Sequence, residues 1–198
     1  MDVALWAARM ERPLTEREEG AMLCLLPESR RQRLLHQQKP EKRVEVLCAY
    51  TMLHLALRER YGWRQIPEVT LSAAGKPCFS EHPDVQFNIS HTGGAVLVGV
   101  SGEPVGVDIE RIRPVSRRAM QRIAGVESEK AFFESWVRRE ARAKRIGAGI
   151  GALMRETALR DGEQFVFVDT FDGYAAGVAA GSGVGIGKVR RYFLDELL

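Results

Sequence analysis

Val105-Gly106-Val107-Asp108-Ile109-Glu110 reads as a strand whose two faces differ in kind. Side chains alternate along extended backbone, so Val107 and Ile109 share the face that seeks a core while Asp108 and Glu110 project together from the other. Two carboxylates on one face repel unless cations or basic groups compensate, and hard oxygens are the ligands that Mg²⁺ prefers. A solvated face paired with Arg111 or Arg113 is the competing reading of the same residues. A shift of 79 residues lays Gly94, Gly102, Val105, Gly106 and Val107 on Gly173, Gly181, Val184, Gly185 and Ile186, with Gly187 where the first copy has Asp108. Such an echo implies the same sheet unit in each half, a boundary near 103 to 105, and carboxylate chemistry in one half only.

The neighbouring sequence supplies more elements of both kinds. Val3 to Ala8 is a short apolar run ended by Pro13 and reads as a strand. Thr15 with Glu18 is a capping-box spacing that opens a helix over 15–36, ending in Arg30, Arg31 and Arg33, and Pro40 starts a second helix over 40–60. Residues 67–72, 85–90, 95–100 and 105–112 read as strands of a meander. A helical stretch follows over 116–146, broken near Gly125, and then strands over 164–171, 174–180 and 184–193. Helices and strands fall in blocks, so the expected class is α+β rather than an alternating doubly wound sheet.

Composition narrows the setting. With 198 residues, 45% hydrophobic and 28% charged, the chain can bury a core, which excludes a disordered tail. No run nears the roughly 18 apolar residues that cross a bilayer, and Met1-Asp2-Val3 lacks a secretory pattern, so a cytoplasmic location is expected. Cys24, Cys48 and Cys78 are odd in number and far apart, which indicates neither a disulfide framework nor a zinc site. The net charge of +3 is too small to demand nucleic acid, though it suits an acidic or phosphorylated partner.

Three further segments carry polar chemistry. In Trp136-Val137-Arg138-Arg139-Glu140-Ala141-Arg142-Ala143-Lys144, helical spacing puts Trp136, Glu140 and Lys144 on one stripe, although Glu with Lys four residues on is also a common surface pair. Ser90 and His91 follow Phe87-Asn88-Ile89 and precede Thr92-Gly93-Gly94. Adjacent strand residues point to opposite faces and no nucleophile elbow is present, so a phosphate cradle suits them better than a hydrolase triad with Asp108. His91 closing a turn is the plainer alternative. Gly75-Lys76-Pro77 marks a turn. Gly183 to Lys188 imitates a P-loop but has Ser182 and Val189 at the wrong places, and Gly147 to Ala152 imitates a dinucleotide loop but follows a basic helix, so both read as turns.

Taken in order, Gly-Lys-Pro, Phe-Asn-Ile-Ser-His, Gly-Val-Asp-Ile-Glu and Trp-x-x-Arg-Glu-Ala-x-x-Lys resemble the motifs of the 4′-phosphopantetheinyl transferases, in the larger single-chain type that activates surfactin synthetase. Met10 to Leu14 and the basic second helix around Arg43 extend the likeness over most of the chain. The resemblance implies a pseudo-dimer of two similar α+β halves, residues 1–103 with the coenzyme A contacts and 104–198 with the metal carboxylates and catalytic helix, with the active site between them. It implies transfer of phosphopantetheine from coenzyme A to a serine of an apo carrier protein. It also implies that Asp108, Glu110 and Glu140 hold Mg²⁺, that Glu140 takes the serine proton, and that Lys144 stabilises charge on the transferring phosphoryl group. Ser90 and His91 match positions that bind coenzyme A phosphates, Lys76 matches one that lines the nucleotide, and Arg43 reaches the 3′-phosphate. A monomer that binds neither nucleic acid nor membrane is expected.

The sequence departs from the family pattern at Arg139, where Lys is usual, and in a short stretch between Glu110 and Glu140. Glu127 lies in that stretch where some members have a further acid. The rival readings are a non-catalytic coenzyme A-binding relative of the same fold, or a nucleic-acid surface built on Arg111, Arg113, Arg117, Arg118 and Arg122.

Overall fold

A computed structural model describes residues 2–149, 151 and 158–197. Strand β1 (Asp2–Arg9) leads into helices α1 (Glu16–Leu25), α2 (Glu28–Leu35) and α3 (Pro40–Tyr61). A small hairpin of β2 (Val69–Leu71) and β3 (Pro77–Phe79) precedes β4 (Gln86–Thr92), β5 (Ala95–Ser101) and β6 (Gly106–Arg111). Helices α4 (Arg117–Ala124) and α5 (Glu129–Ile146) follow, then β7 (Glu163–Phe167), β8 (Tyr174–Gly181) and β9 (Gly185–Phe193), with a 3₁₀ turn over Leu194–Glu196. The class is α+β, as expected.

The sequence expectation of one helix over 15–36 is corrected to two. The capping box forms, with the Glu18 N–H donating to Thr15 Oγ1 and the Thr15 N–H donating to Glu18 Oε2. Pro27 then ends the run, because its ring has no N–H and drives the preceding residue out of the helical region. Leu26 is extended at ψ 140° and α2 starts afresh. Farther on, Gly125 ends α4 and Gly147 ends α5, both in left-handed conformations of φ 66° and 71° that L side chains disfavour.

The expected meander is also corrected. Strands β4 and β5 pair antiparallel, but β2 pairs only with β3, and β6 leaves to begin another sheet. The first large sheet has order β4-β5-β1-β9 and the second β6-β8-β7. In both, a hairpin is flanked on one side by an antiparallel strand: β1 beside β5, and β6 beside β8. The 79-residue offset carries β5 onto β8 and the turn glycine Gly94 onto Gly173, each with positive φ.

Alternation assigns each face. Val3, Leu5 and Ala7 of β1 and Leu97 of β5 meet Val107 and Ile109 of β6 and Val178 of β8, which makes a core between the sheets. The opposite face of the first sheet, through Trp6, Ala8, Val96 and Val98, packs on Leu47, Met52 and Leu53 of α3. The outer face of the second sheet packs on Phe133 and Val137 of α5. Four layers result: helices, sheet, sheet, helices. Burying Val107 and Ile109 between the sheets turns Asp108 and Glu110 toward α5, and this places the site.

Candidate active site

Asp108 is buried at 3% exposure, an expensive place for a carboxylate unless it is well partnered. Its Oδ1 accepts hydrogen bonds from Ser90 Oγ at 2.7 Å and from the Lys144 ammonium at 2.6 Å, and Lys144 Nζ also donates to Ser90 Oγ at 2.9 Å. Oδ2 is equally buried and has no hydrogen-bond partner among the described residues. Burial pushes the Asp108 carboxyl above its ordinary range, Lys144 and Ser90 pull it down, and Glu110 adds to the upward push.

Strand β4 supplies a second row of contacts at the alternate positions Asn88, Ser90 and Thr92. The Val107 N–H donates to Asn88 Oδ1 at 2.9 Å, and Thr92 Oγ1 donates to Glu110 Oε2 at 3.2 Å. Glu110 Oε2 also accepts from Arg113 Nη1 at 3.1 Å. Glu140 is half-buried one turn before Lys144. Burial pushes its carboxyl up, Lys144 pulls it down, and the charges of Asp108 and Glu110 push it up again. Asp108 and Glu140 therefore both feel the charge of neighbouring carboxylates. Among the described residues, however, no three of His, Cys, Asp and Glu stand together as a ready metal cage.

A cleft of about 400 Å³ opens beside this cluster, walled by α2, α3 and β4 and reached by Lys144. Arg30 and Arg33 of α2, Tyr50 of α3, and Phe87 and His91 of β4 line it. Burial pushes the Tyr50 phenol up, while the charges of Arg30 and Arg33 pull it down. Arg30 Nε is buried with no hydrogen-bond partner among the described residues. The cleft thus offers aromatic and aliphatic walls with two guanidinium groups, suited to an anionic ligand with a flat ring. His91 faces away from Ser90, as strand alternation requires, with Nδ1 3.1 Å from Glu45 Oε2.

Two further cations of the sequence reading stand outside the lining of this cleft. Arg43 has its Nε 3.6 Å from Glu19 Oε2 and is not among the described lining of the cleft, where Arg30 and Arg33 stand instead. Lys76 lines a smaller neighbouring cleft of about 270 Å³, but its ammonium donates to Val105 O at 2.9 Å and Arg145 O at 3.3 Å. Burial, helped by the Arg145 charge, brings that ammonium down to about 8. Arg139 is buried away from the carboxylates and donates to Ile123 O at 3.1 Å, which fastens α5 to the end of α4. Gly147 caps α5 and Gly183 turns β8 into β9, so neither glycine-rich decoy forms a phosphate loop among the described residues; Ile150 and Ala152 of the first lie outside them.

Sequence reading singled out Ser90 but missed Asn88 and Thr92, although a polar residue at every second position of β4 was a visible signal. It noted Arg30 and Arg33 only as the basic end of a helix.

The geometry joins a buried serine and aspartate and a partly buried lysine to an arginine-lined cleft, and sequence comparison agrees with the motifs that surround it. No protein-family model matches the chain. It is 24% identical over 170 residues to the 4′-phosphopantetheinyl transferase Sfp of Bacillus subtilis (strain 168), covering 79% of this chain and 75% of that protein. The chain is similar to the 4′-phosphopantetheinyl transferases over most of its length. Another 4′-phosphopantetheinyl transferase of Bacillus subtilis is 23% identical over 193 residues, covering 85% of this chain and 86% of its own length. The 4′-phosphopantetheinyl transferase AcpT of Salmonella typhi is 35% identical over 97 residues, 41% of this chain and 50% of that protein. The long matches to transferases of similar length fit the larger, Sfp-like type.

Proposed function

We propose that the protein transfers 4′-phosphopantetheine from coenzyme A to a serine hydroxyl of an apo carrier protein, releasing adenosine 3′,5′-bisphosphate. The observation that carries this reading is the cluster of buried Ser90 and Asp108 with partly buried Lys144 at the end of a cleft lined by Arg30 and Arg33. In the reaction, a bond forms between the serine oxygen and the phosphorus next to pantetheine. The pyrophosphate bond to the departing nucleotide breaks, and the serine proton leaves.

The cleft takes the nucleotide, with Arg30 and Arg33 facing its phosphates and Tyr50 and Phe87 its flat surfaces. Ser90 and His91 are offered to the phosphates, and Lys76 borders the nucleotide from the smaller cleft. Arg43 reaches the 3′-phosphate only by leaving Glu19. Glu140 accepts the serine proton; a carboxyl raised by burial sits closer to neutrality and is the better base for it. Lys144 stabilises charge on the transferring phosphoryl group and the leaving oxygen.

Asp108, Glu110 and Glu140 would hold Mg²⁺. Hard oxygen donors, the unpartnered Asp108 Oδ2 and the upward push that neighbouring carboxylates give Asp108 and Glu140 all suit a divalent cation. When bound, the ion neutralises pyrophosphate charge and makes the phosphorus more electrophilic.

Residues 1–103 and 104–198 form the halves of a pseudo-dimer in this reading, a view supported by the recurring β4-β5-β1 and β7-β8-β6 orders. The protein acts as a cytoplasmic monomer on an acyl or peptidyl carrier domain. No helix among the described residues is long and apolar enough to cross a membrane. The reading is tested by incubating the protein with coenzyme A, Mg²⁺ and a panel of apo carrier proteins. Intact-mass spectrometry is expected to find a phosphopantetheine adduct on at least one carrier, and no adduct on fatty-acid, polyketide and peptide carriers alike counts against it.

A further inference from the structure

The β2–β3 hairpin comes from the first part of the chain, yet its tip is fitted to the end of α5. A Cβ built on Gly147, the α5 cap, would stand 2.9 Å from Ala74 Cβ and 3.5 Å from Lys76 Cβ. Helix ends leave carbonyls without intrahelical donors. Arg145 O, in the last turn of α5, accepts from Lys76 Nζ, and no backbone donor reaches it among the described residues. The same ammonium donates to Val105 O, immediately before β6. A cation facing the last carbonyls of a helix is also favoured by the helix dipole. The two acceptors flank the site closely in sequence: Arg145 follows Lys144, and Val105 lies three residues before Asp108.

We propose that Lys76 is a positioning residue. Its ammonium ties the hairpin to both α5 and β6 and so fixes the separation of Lys144 and Asp108. The kinetic part of this inference rests on the transferase reading, whereas the structural part does not. Two of the three ammonium protons are committed to carbonyls, which leaves little freedom to follow a phosphate. The contribution of Lys76 therefore falls on turnover more than on coenzyme A binding.

The test compares Lys76→Met, which keeps much of the aliphatic length and removes the donors, with Lys76→Arg, which restores charge and donors. In the protein without ligand, Lys76→Met is expected to speed amide hydrogen exchange at residues 144–148 and 105–108 by about tenfold or more, with the α3 amides unchanged, and Lys76→Arg to recover most of the protection. With coenzyme A and carrier, kcat is expected to fall about tenfold in Lys76→Met while KM for coenzyme A stays within about twofold. Unchanged exchange together with a raised KM would make Lys76 a ligand contact and overturn the proposal, as would unchanged exchange with unchanged kcat. If Lys76→Met does not fold, the milder Lys76→Gln takes its place under the same criteria: faster exchange at 144–148 and 105–108 upholds the tie, and unchanged exchange overturns it. If the wild-type protein transfers nothing to any carrier, the transferase reading fails, while faster exchange in Lys76→Met still upholds the tie.

Discussion

The side-chain oxygen of Asn88 accepts a hydrogen bond from the backbone N–H of Val107 at 2.9 Å, joining the edge strand of one sheet to the edge strand of the other. Both residues are buried, so this donor has no water to fall back on. Removing one partner leaves the other with its desolvation cost unrelieved, which is about 1–3 kcal/mol for a buried neutral group. Asn88→Ala is therefore expected to lower the unfolding free energy from a urea titration by that amount, and the midpoint with it, whereas Asn88→Asp, which keeps an acceptor, retains more of the bond. An Asn88→Ala midpoint equal to the wild type would show that the two strands are held by packing alone.

Gly106 makes a sharper case. A Cβ there would lie 2.0 Å from Ala141 O and 2.4 Å from Arg145 N, inside the backbone of α5 and not against a flexible side chain that could yield. Only glycine lets β6 approach the helix closely enough for Lys144 to reach Asp108. Overpacking a close-fitted site typically costs about 1–3 kcal/mol or more. Gly106→Ala is expected to lose at least that in a denaturant titration, and any folded fraction should lose transfer, since the helix must move away from the carboxylate. A stable, fully active Gly106→Ala protein would mean that α5 can shift without consequence.

How much of this was legible depends on how far apart the partners lie. The alternation at Val107, Asp108, Ile109 and Glu110 is local, with apolar and acidic side chains in sharp contrast, and the buried face of β6 followed from it directly. Helix α5 was equally plain from its helix formers and from Gly147. Pro27 was overshadowed by the favourable Thr15–Glu18 box, and with the break unseen, Arg30 and Arg33 were read as a helix end and not as the wall of a cleft. Strand β3 is only three residues long and sits inside a turn signal. The partners of Asn88 and Thr92 lie 19 and 18 residues away on a strand of the other sheet, a pairing that no local pattern encodes. For the same reason β6 looked like the next strand of a meander when its partner was β8. Lys76 lay in a recognised motif, but its acceptors lie 29 and 69 residues along the chain.

Arg142 and Glu163 form an ion pair with side chains 0% and 3% exposed, at 2.8 Å, between α5 and the start of β7. Arg142 also donates to Ala158 O at 2.7 Å, which anchors the return from the helix. Burial pushes the Glu163 carboxyl up, but hydrogen bonds from Arg142 and from the Arg160 N–H outweigh it and hold the group below its ordinary value of 4.5. In the window below 4.5 the unfolded chain binds more protons, so stability rises with pH there. The pair's contribution is present above that window and is lost as pH falls through the native value. Glu163→Gln is expected to cost about 1.5–3 kcal/mol at neutral pH, because it exchanges a charge-assisted hydrogen bond to a buried guanidinium for a neutral one. The gap to wild type should narrow below pH 4.5 in urea titrations across the acid range. A gap that stays constant with pH would remove the charge from this account.

Glu140 is expected to show the opposite sign, and it ties stability to catalysis. Its carboxyl is held above the ordinary value of 4.5 by burial and by Asp108 and Glu110, against the pull of Lys144. The native protein binds more protons than the unfolded chain in the window above 4.5, so ionising this group erodes stability as pH rises. Glu140→Gln keeps the shape and removes the charge, so the variant should be as stable as wild type at low pH and more stable at neutral pH. Its melting temperature, compared with that of wild type at acidic and neutral pH, reads this directly. The same variant lacks the base proposed to take the serine proton, and general-base catalysis is typically worth about 10²–10⁴-fold. Transfer to a carrier, followed by intact mass, should fall by at least that factor in a protein that still folds and melts higher. A Glu140→Gln protein that is both stabilised and active would separate the strained carboxylate from the chemistry and leave the proton to another acceptor.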